Sequence, residues 1–377
     1  MSEVTVSSSV NTNVELSIGG YVLPFGVGIF CAVIREDCLY AVPILDFIIS
    51  DANGVIGTSI KILDGTILKC AIYRGDSAVD ALTFKVASIK PSKIGTMTYY
   101  NVSAYFQSDL IMPKNVWNFT GNAAAAFANI IANDGSATPV KFLTNFTTTE
   151  QLNTSNFKKL ATESFAKYIR RMLLPSMPVN NVSYWLYYHN GYNCLLINLI
   201  TLLQNFKYKE GDFAFTPSNF MQWSINSESF HKNVSNSSYG GEVWQYDAEV
   251  GAYSVVAQAK GFANYNVNKD AAVSNKQVNM VASSTGNHPI DYLPSISQNM
   301  KNKGVFNVEM LVQVNYQTNL QGLQVVPIFY DKAKYIPFIV AGKSIIMRNG
   351  MYEEQIKLIC SEIDQSILSA MGTSLQN

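Results

Sequence analysis

Three histidines, His189, His231 and His288, are the first residues to test for metal or acid–base chemistry. Zinc hydrolysis needs two histidines one helical turn apart with a glutamate beside them, and none of the three stands in an H-E-x-x-H or H-x-E spacing. They read as polar loop or turn histidines. The five cysteines, Cys31, Cys38, Cys70, Cys194 and Cys360, are scattered without a C-x-x-C pair, which argues against a disulfide framework and against a zinc site. Reduced, buried thiols fit better. Among acidic residues, Glu36-Asp37, Glu353-Glu354 and Glu362 with Asp364 are the candidate carboxylate pairs. Glycoside hydrolysis needs its two carboxylates on opposite sides of one scissile bond, and sequence neighbours do not achieve that, so these read as solvated turn or strand-face charges. No G-x-S-x-G elbow or phosphate loop occurs. The glycines Gly19, Gly20, Gly26 and Gly28 lie among strands with no helix following, which suggests a bulge or a close backbone approach. The aromatic cluster Tyr184, Trp185, Tyr187, Tyr188 and Tyr192 has two readings. It could stack sugars, or it could form a hairpin with a core on one face and a subunit interface on the other. No catalytic, cofactor-binding or metal-ligating residue is assigned, no cofactor is expected, and a non-enzymatic role follows.

The composition points the same way. Apolar residues make up 48% of the 377-residue chain and charged residues 14%, about half the share usual in soluble proteins. A surface so poor in charge suits a chain whose outside becomes interface. Lys plus Arg balance Asp plus Glu at 27 each, and no basic run appears, so tight nucleic-acid binding is not expected. Neither a basic segment leading into an apolar one at the N-terminus nor a run of about 20 apolar residues is found, so neither a signal peptide nor a membrane span is expected.

The elements that must position these residues are mostly strands. From Val14 to Met112, short strand-like runs such as LYAVPILDFIISD, ILKCAIYR and TYYNVSAYFQ stand between turn signals that include Asp64-Gly65, and SIKIL and LTFKVASI alternate apolar and polar residues. Six or seven strands in this length predict a small β-barrel or sandwich. After Met112-Pro113 the pattern changes. Gly121-Asn122 precedes an alanine-rich stretch with Phe127, Ile130 and Ile131 at helical spacing and Gly135 as a stop. A second helix is expected from a Ser155 or Asn156 cap through Phe157, Leu160, Phe165, Ile169 and Leu173 to Pro175. Asn190-Gly191 marks a hairpin within VSYWLYYHNGYNCLLIN, followed by a short apolar helix or turn. Strand patterns return from Lys207, and the polar residues 264–304 read as a mobile or partner-ordered loop. Near the C-terminus Ile356, Ile359, Cys360, Ile363 and Ile367 also fit helical spacing, so a strand passing into a short helix is expected there. The expected fold is mainly β with an α+β middle domain and two similar small antiparallel β-barrels. The domains are 1–112, the first barrel; 113–206, the α/β domain; 207–240 with 303–365, a discontinuous second barrel; 241–302, an insertion; and 366–377, a tail.

This order of features resembles the central hub proteins of contractile-tailed phage baseplates, whose fold is related to the base of type VI secretion spikes. The resemblance rests on a first barrel, a small-residue helix like FTGNAAAAFANIIANDG, and an α/β domain like FKKLATESFAKYIRRMLL with YWLYYHNGYNCLLINLITLLQ. A second barrel follows, interrupted by a segment like GGEVWQYDAEVGAYSVV, and a closing module in which Gly342-Lys343 returns the chain to a final strand. It implies a homotrimer in which each chain supplies two similar barrels. The trimer would adapt a sixfold tail tube, or a tube-initiator protein, above to a threefold tail spike protein below, with baseplate wedge proteins outside and DNA only in transit. It implies a virion protein assembled in the host cytoplasm. The alternative function is a phage surface adhesin or glycan-binding tail protein.

Overall fold

The computed structural model describes residues 12–18, 21–23, 28–51, 54, 56, 61–74, 77–113, 115–136, 139–146, 155–174, 176–177, 184–216, 219–227, 242–247, 252–258, 278–281, 306, 308–331, 334–348 and 351–360. The first strands are β1 (Thr12–Ile18), β2 (Tyr21–Leu23), β3 (Ile29–Asp37), β4 (Ile44–Asp51), β5 (Ile67–Arg74), β6 (Ser77–Ile94) and β7 (Met97–Phe106). Alternation does what it promised in β6, where Leu82, Phe84 and Val86 are buried and Thr83 and Lys85 between them half-buried. Each such burial contributes about 1.5–3 kcal/mol. It fails in SIKIL. Residues 61–63 form no strand, because Lys61 takes a positive φ of 45° and breaks the extended run before the Asp64-Gly65 turn, where Gly65 has φ +84°.

The middle segment holds β8 (Trp117–Gly121), α1 (Ala123–Ala132), β9 (Lys141–Thr144), β10 (Ser155–Lys159), α2 (Phe165–Tyr168), β11 (Trp185–His189), β12 (Asn193–Asn198) and α3 (Leu199–Asn205). The Asn122 side chain caps α1 by accepting from the Ala125 N–H, and Phe127, Ile130 and Ile131 face the core, as the spacing predicts. The Asn190-Gly191 hairpin and the short helix after it are also present. The expected second helix needs correction. Ser155 and Asn156 cap nothing and instead open β10, which pairs antiparallel with β8 and buries Phe157 and Lys159 on alternate positions. The helix starts later, capped by Ser164, and runs into a π-type turn over Ile169–Leu173. A partner strand with its own open ladder outweighs weak helical spacing over five residues.

The remaining strands are β13 (Gln222–Ser227), β14 (Glu242–Asp247), β15 (Ala252–Gln258), β16 (Val278–Val281), β17 (Val308–Val314), β18 (Val325–Asp331), β19 (Lys334–Arg348) and β20 (Met351–Cys360). β14, β15 and β16 form a separate three-stranded sheet, so the polar 264–304 stretch contains at least one paired strand. The rest of that stretch, His231, His288, Gly19, Gly20, Gly26, Pro175, Glu362, Asp364, Ile363, Ile367 and the tail from 361 onward lie outside the described residues.

A 12-stranded antiparallel sheet joins both ends of the chain in the order β13-β17-β20-β19-β3-β4-β7-β6-β5-β1-β2, with β18 beside β19. Its path is open among the described residues, and it contributes to three hydrophobic cores. Within it the same arrangement occurs twice. Taken in chain order, β3 to β7 lie side by side as β3-β4-β7-β6-β5, and β13 with β17 to β20 lie as β13-β17-β20-β19-β18. The registers match as well. Phe84, Val86 and Ala104 of the first unit correspond at one constant offset to Phe338, Val340 and Leu358 of the second. Both hairpins carry a one-residue bulge at an alanine, Ala87 between Val86 and Ser88, and Ala341 between Val340 and Gly342. Leu45 opposite Ala104 corresponds to Met310 opposite Leu358, all but Ala104 being large apolar residues in their cores.

Candidate assembly surface

Several of the residues with chemical potential serve as framework. His189 is buried; its Nδ1 accepts from the Gly191 N–H at 3.0 Å, and burial pulls its pKa down to about 3, so it stays neutral. Of the aromatic cluster, Trp185, Tyr187 and Tyr188 are buried, and the Tyr187 hydroxyl donates to the Ala41 carbonyl. Burial, reinforced by Glu36, holds the Tyr188 hydroxyl well above the usual tyrosine range. These three rings are not available to stack on a sugar, whereas Tyr184 and Tyr192 are half-buried. The acidic pairs are not solvated faces throughout. Glu36 accepts from the Tyr188 hydroxyl at 3.0 Å, and Glu354 is fully buried, correcting the expectation of exposed charge.

These groups gather where the two units meet. There, residues 342–348 of β19 run between β20 on one side and β3 on the other, with Gly342 opposite Asp37 and Arg348 opposite Cys31. A Cβ on Gly342 would lie 2.7 Å from the Asp37 carboxylate and 3.2 Å from the Glu36 carbonyl oxygen, so a side chain there would push Asp37 aside where β19 approaches β3. Ile345 and Met347 project from the second unit into the core of the first. Lys357 of β20 reaches Asp37 at 3.6 Å and Glu309 at 3.2 Å, tying β3 to β17 through β20. Burial pulls the Lys357 pKa down, but the two carboxylates outweigh it and leave the ammonium more basic than an ordinary lysine. Next to it, Glu354 accepts from Lys343 Nζ at 3.1 Å, from Thr318 Oγ1 at 2.6 Å, from the Thr318 N–H at 3.2 Å and from the Tyr352 hydroxyl. The Cys38 N–H donates to the Ala341 carbonyl at 2.8 Å, closing the seam at the bulge.

One feature the sequence reading missed lies in the middle segment. A cavity of about 280 Å³ is lined by Asp109, Leu110, Trp117, Asn129, Ile130, Asn133, Asp134 and Phe165. Its carboxylates are braces: Asp134 accepts from Ser108 Oγ and the Asp109 N–H, and Asp109 from the Gly135 N–H, fixing the end of α1 to the turn after β7. No spacing rule marks two aspartates this far apart in sequence. Among the described residues, no group of three or more His, Cys, Asp or Glu could hold a metal ion, and no helix is long and apolar enough to cross a membrane.

No protein-family model matches the sequence, and no curated protein matches it. Solved structures do. The 43 kDa tail protein of prophage MuSo2 from Shewanella oneidensis matches with a TM-score of 0.58 and 12% identity, covering 93% of this chain and 99% of that one. A tail protein from Neisseria meningitidis MC58 matches with a TM-score of 0.54 and 11% identity over 93% of this chain and 96% of that one. A chain of the half-lidded Francisella PdpA–VgrG complex matches with a TM-score of 0.51 and 9% identity, over 94% of this chain and 59% of that one. The chain shares the fold of these tail proteins and of the matched PdpA–VgrG chain, in line with the fold that its resemblance to the baseplate hub implied.

Proposed function

We propose that this chain is the central hub of a contractile phage tail baseplate, a homotrimer that adapts the sixfold tail tube to the threefold spike and lines a channel for DNA. The observation that carries the reading is the repeated five-stranded unit, with the same strand order and the same hairpin register twice in one chain. Three chains with two equivalent units each present six similar surfaces, which is what a sixfold tube needs beneath it. The two units are then related by a rotation of about 60° about the ring axis, since six equivalent units share one turn. The balanced charge suits a channel through which DNA slides without being gripped. A tail spike protein below, a tube or tube-initiator protein above and wedge proteins outside are the partners, in a virion assembled in the host cytoplasm. The role is structural and non-enzymatic, with the sequence's chemical candidates serving as braces at the seam and in the core.

Light scattering of the purified chain at high micromolar concentration tests this. A mass of three chains is expected, and a monomer overturns the reading.

A further inference from the structure

The two units leave complementary edges open. In the second unit, residues 342–348 of β19 carry β20 on one side and β3 on the other. Their counterparts in the first unit, residues 88–94 of β6, pair with β7 on one side, and among the described residues nothing pairs with the other. The arm is correspondingly bare: residues 90–96 are exposed, Ile94 by 68%, whereas Gly342, Lys343, Ile345 and Met347 are buried. The strand that receives residues 342–348 is β3, and its counterpart in the second unit is β13. β13 pairs with β17 and, among the described residues, with nothing on its outer side. One chain thus contains one used pair of these edges and one unused pair.

We propose that residues 89–94 of one copy add to the outer edge of β13 of a second copy, repeating between chains the ladder that β19 and β3 make within one. The inference rests on the trimer reading and supplies its joint. Carrying the register across, Ile346 opposite Val33 becomes Ser92 opposite Ser224, and Met347 opposite Ala32 becomes Lys93 opposite Trp223. Donor and acceptor lie on different units, so the contact is heterologous and repeats head to tail until the ring closes. Closure leaves neither edge free to pair at random. The joint between copies differs from the one within the chain. Pro91 and Lys93 stand where Ile345 and Met347 enter the neighbouring core, so the ladder holds chiefly through its backbone. Pro91 also brings no N–H, which is tolerated on an edge and discourages indiscriminate strand addition.

Cysteines placed across the expected register test this. Facing residues of an antiparallel pair have Cα atoms about 4.5–5.5 Å apart, within the span of a disulfide. Ser92 and Ser224 are both exposed, so the double variant Ser92→Cys/Ser224→Cys keeps the fold. Mild oxidation should convert most of it to dimers and closed trimers that collapse to monomers on reduction. Either single variant, and the Lys93→Cys/Ser224→Cys pair with side chains on opposite faces, should stay at background. A trimeric native mass with no specific cross-link overturns the joint and leaves the hub reading standing, whereas a monomeric native mass removes both. In the unmodified protein, hydrogen exchange at residues 89–94 should be slowed at least tenfold in the trimer relative to dilute monomer. Unchanged exchange there also overturns the joint.

Discussion

Replacing Lys343 with methionine isolates the buried charge at the seam. Glu354 has 0% exposure, and its partners are Lys343, both donors of Thr318 and the Tyr352 hydroxyl. Without Lys343, a full negative charge remains in the interior with only neutral donors. Removing one member of a buried pair costs about 3–5 kcal/mol, and the three surviving hydrogen bonds place the loss near the lower end, about 3 kcal/mol. With an m-value of about 3 kcal/mol per molar in urea, the midpoint falls by about 1 M. Urea unfolding followed by tryptophan fluorescence measures this. The double variant Lys343→Met/Glu354→Gln removes both charges while keeping an acceptor for Thr318, and should recover to within about 1 kcal/mol of the original. The first unit shows that the topology does not need the pair, since Ile89 and Tyr100 occupy the corresponding positions and pack on the first core. A midpoint for Lys343→Met within about 0.3 M of the unmodified protein would refute the reasoning, because the carboxylate would then have found water at little cost.

Gly322→Ala should destabilise by about 1–3 kcal/mol and lower the melting temperature by several degrees. Its Cβ would stand 2.1 Å from the Tyr188 ring, which is fully buried and tethered through its hydroxyl to Glu36, so an unchanged melting temperature would contradict that packing. His189 sets a pH dependence. Its pKa is about 3 folded and 6.5 unfolded, so its contribution is fully present above pH 6.5 and declines as pH falls from 6.5 toward 3. At pH 5 the loss is about 2 kcal/mol, and denaturation curves of His189→Gln should lack that component.

How much of this was legible in the chain depends on whether the deciding interaction is local. Alternation places Leu82, Phe84 and Val86 of β6 on the core face because each residue's side is set by its immediate neighbours, and Asn122 caps α1 through an N–H three residues away. Balanced charge and the lack of ligand spacings likewise need no structure to be read. Ser155–Lys159 went the other way. The helical spacing was there, but the unpaired ladder of Trp117–Gly121 lies more than thirty residues upstream, and nothing at 155 announces it.

The repeat stands between these cases. Phe84, Val86, Ala87 and Met97 recur as Phe338, Val340, Ala341 and Met351, yet four shared residues are too few to see until the hairpin register aligns them. Composition and short-range periodicity are properties of neighbouring residues, and they suffice for a strand-rich chain with a helical middle and few charges. The pairing of β3 with β19, the burial of Glu354 against Lys343 and the burial of Trp185, Tyr187 and Tyr188 rest on the tertiary structure. Each depends on which distant strand closes the ladder, and backbone hydrogen bonds carry no sequence code for their partner.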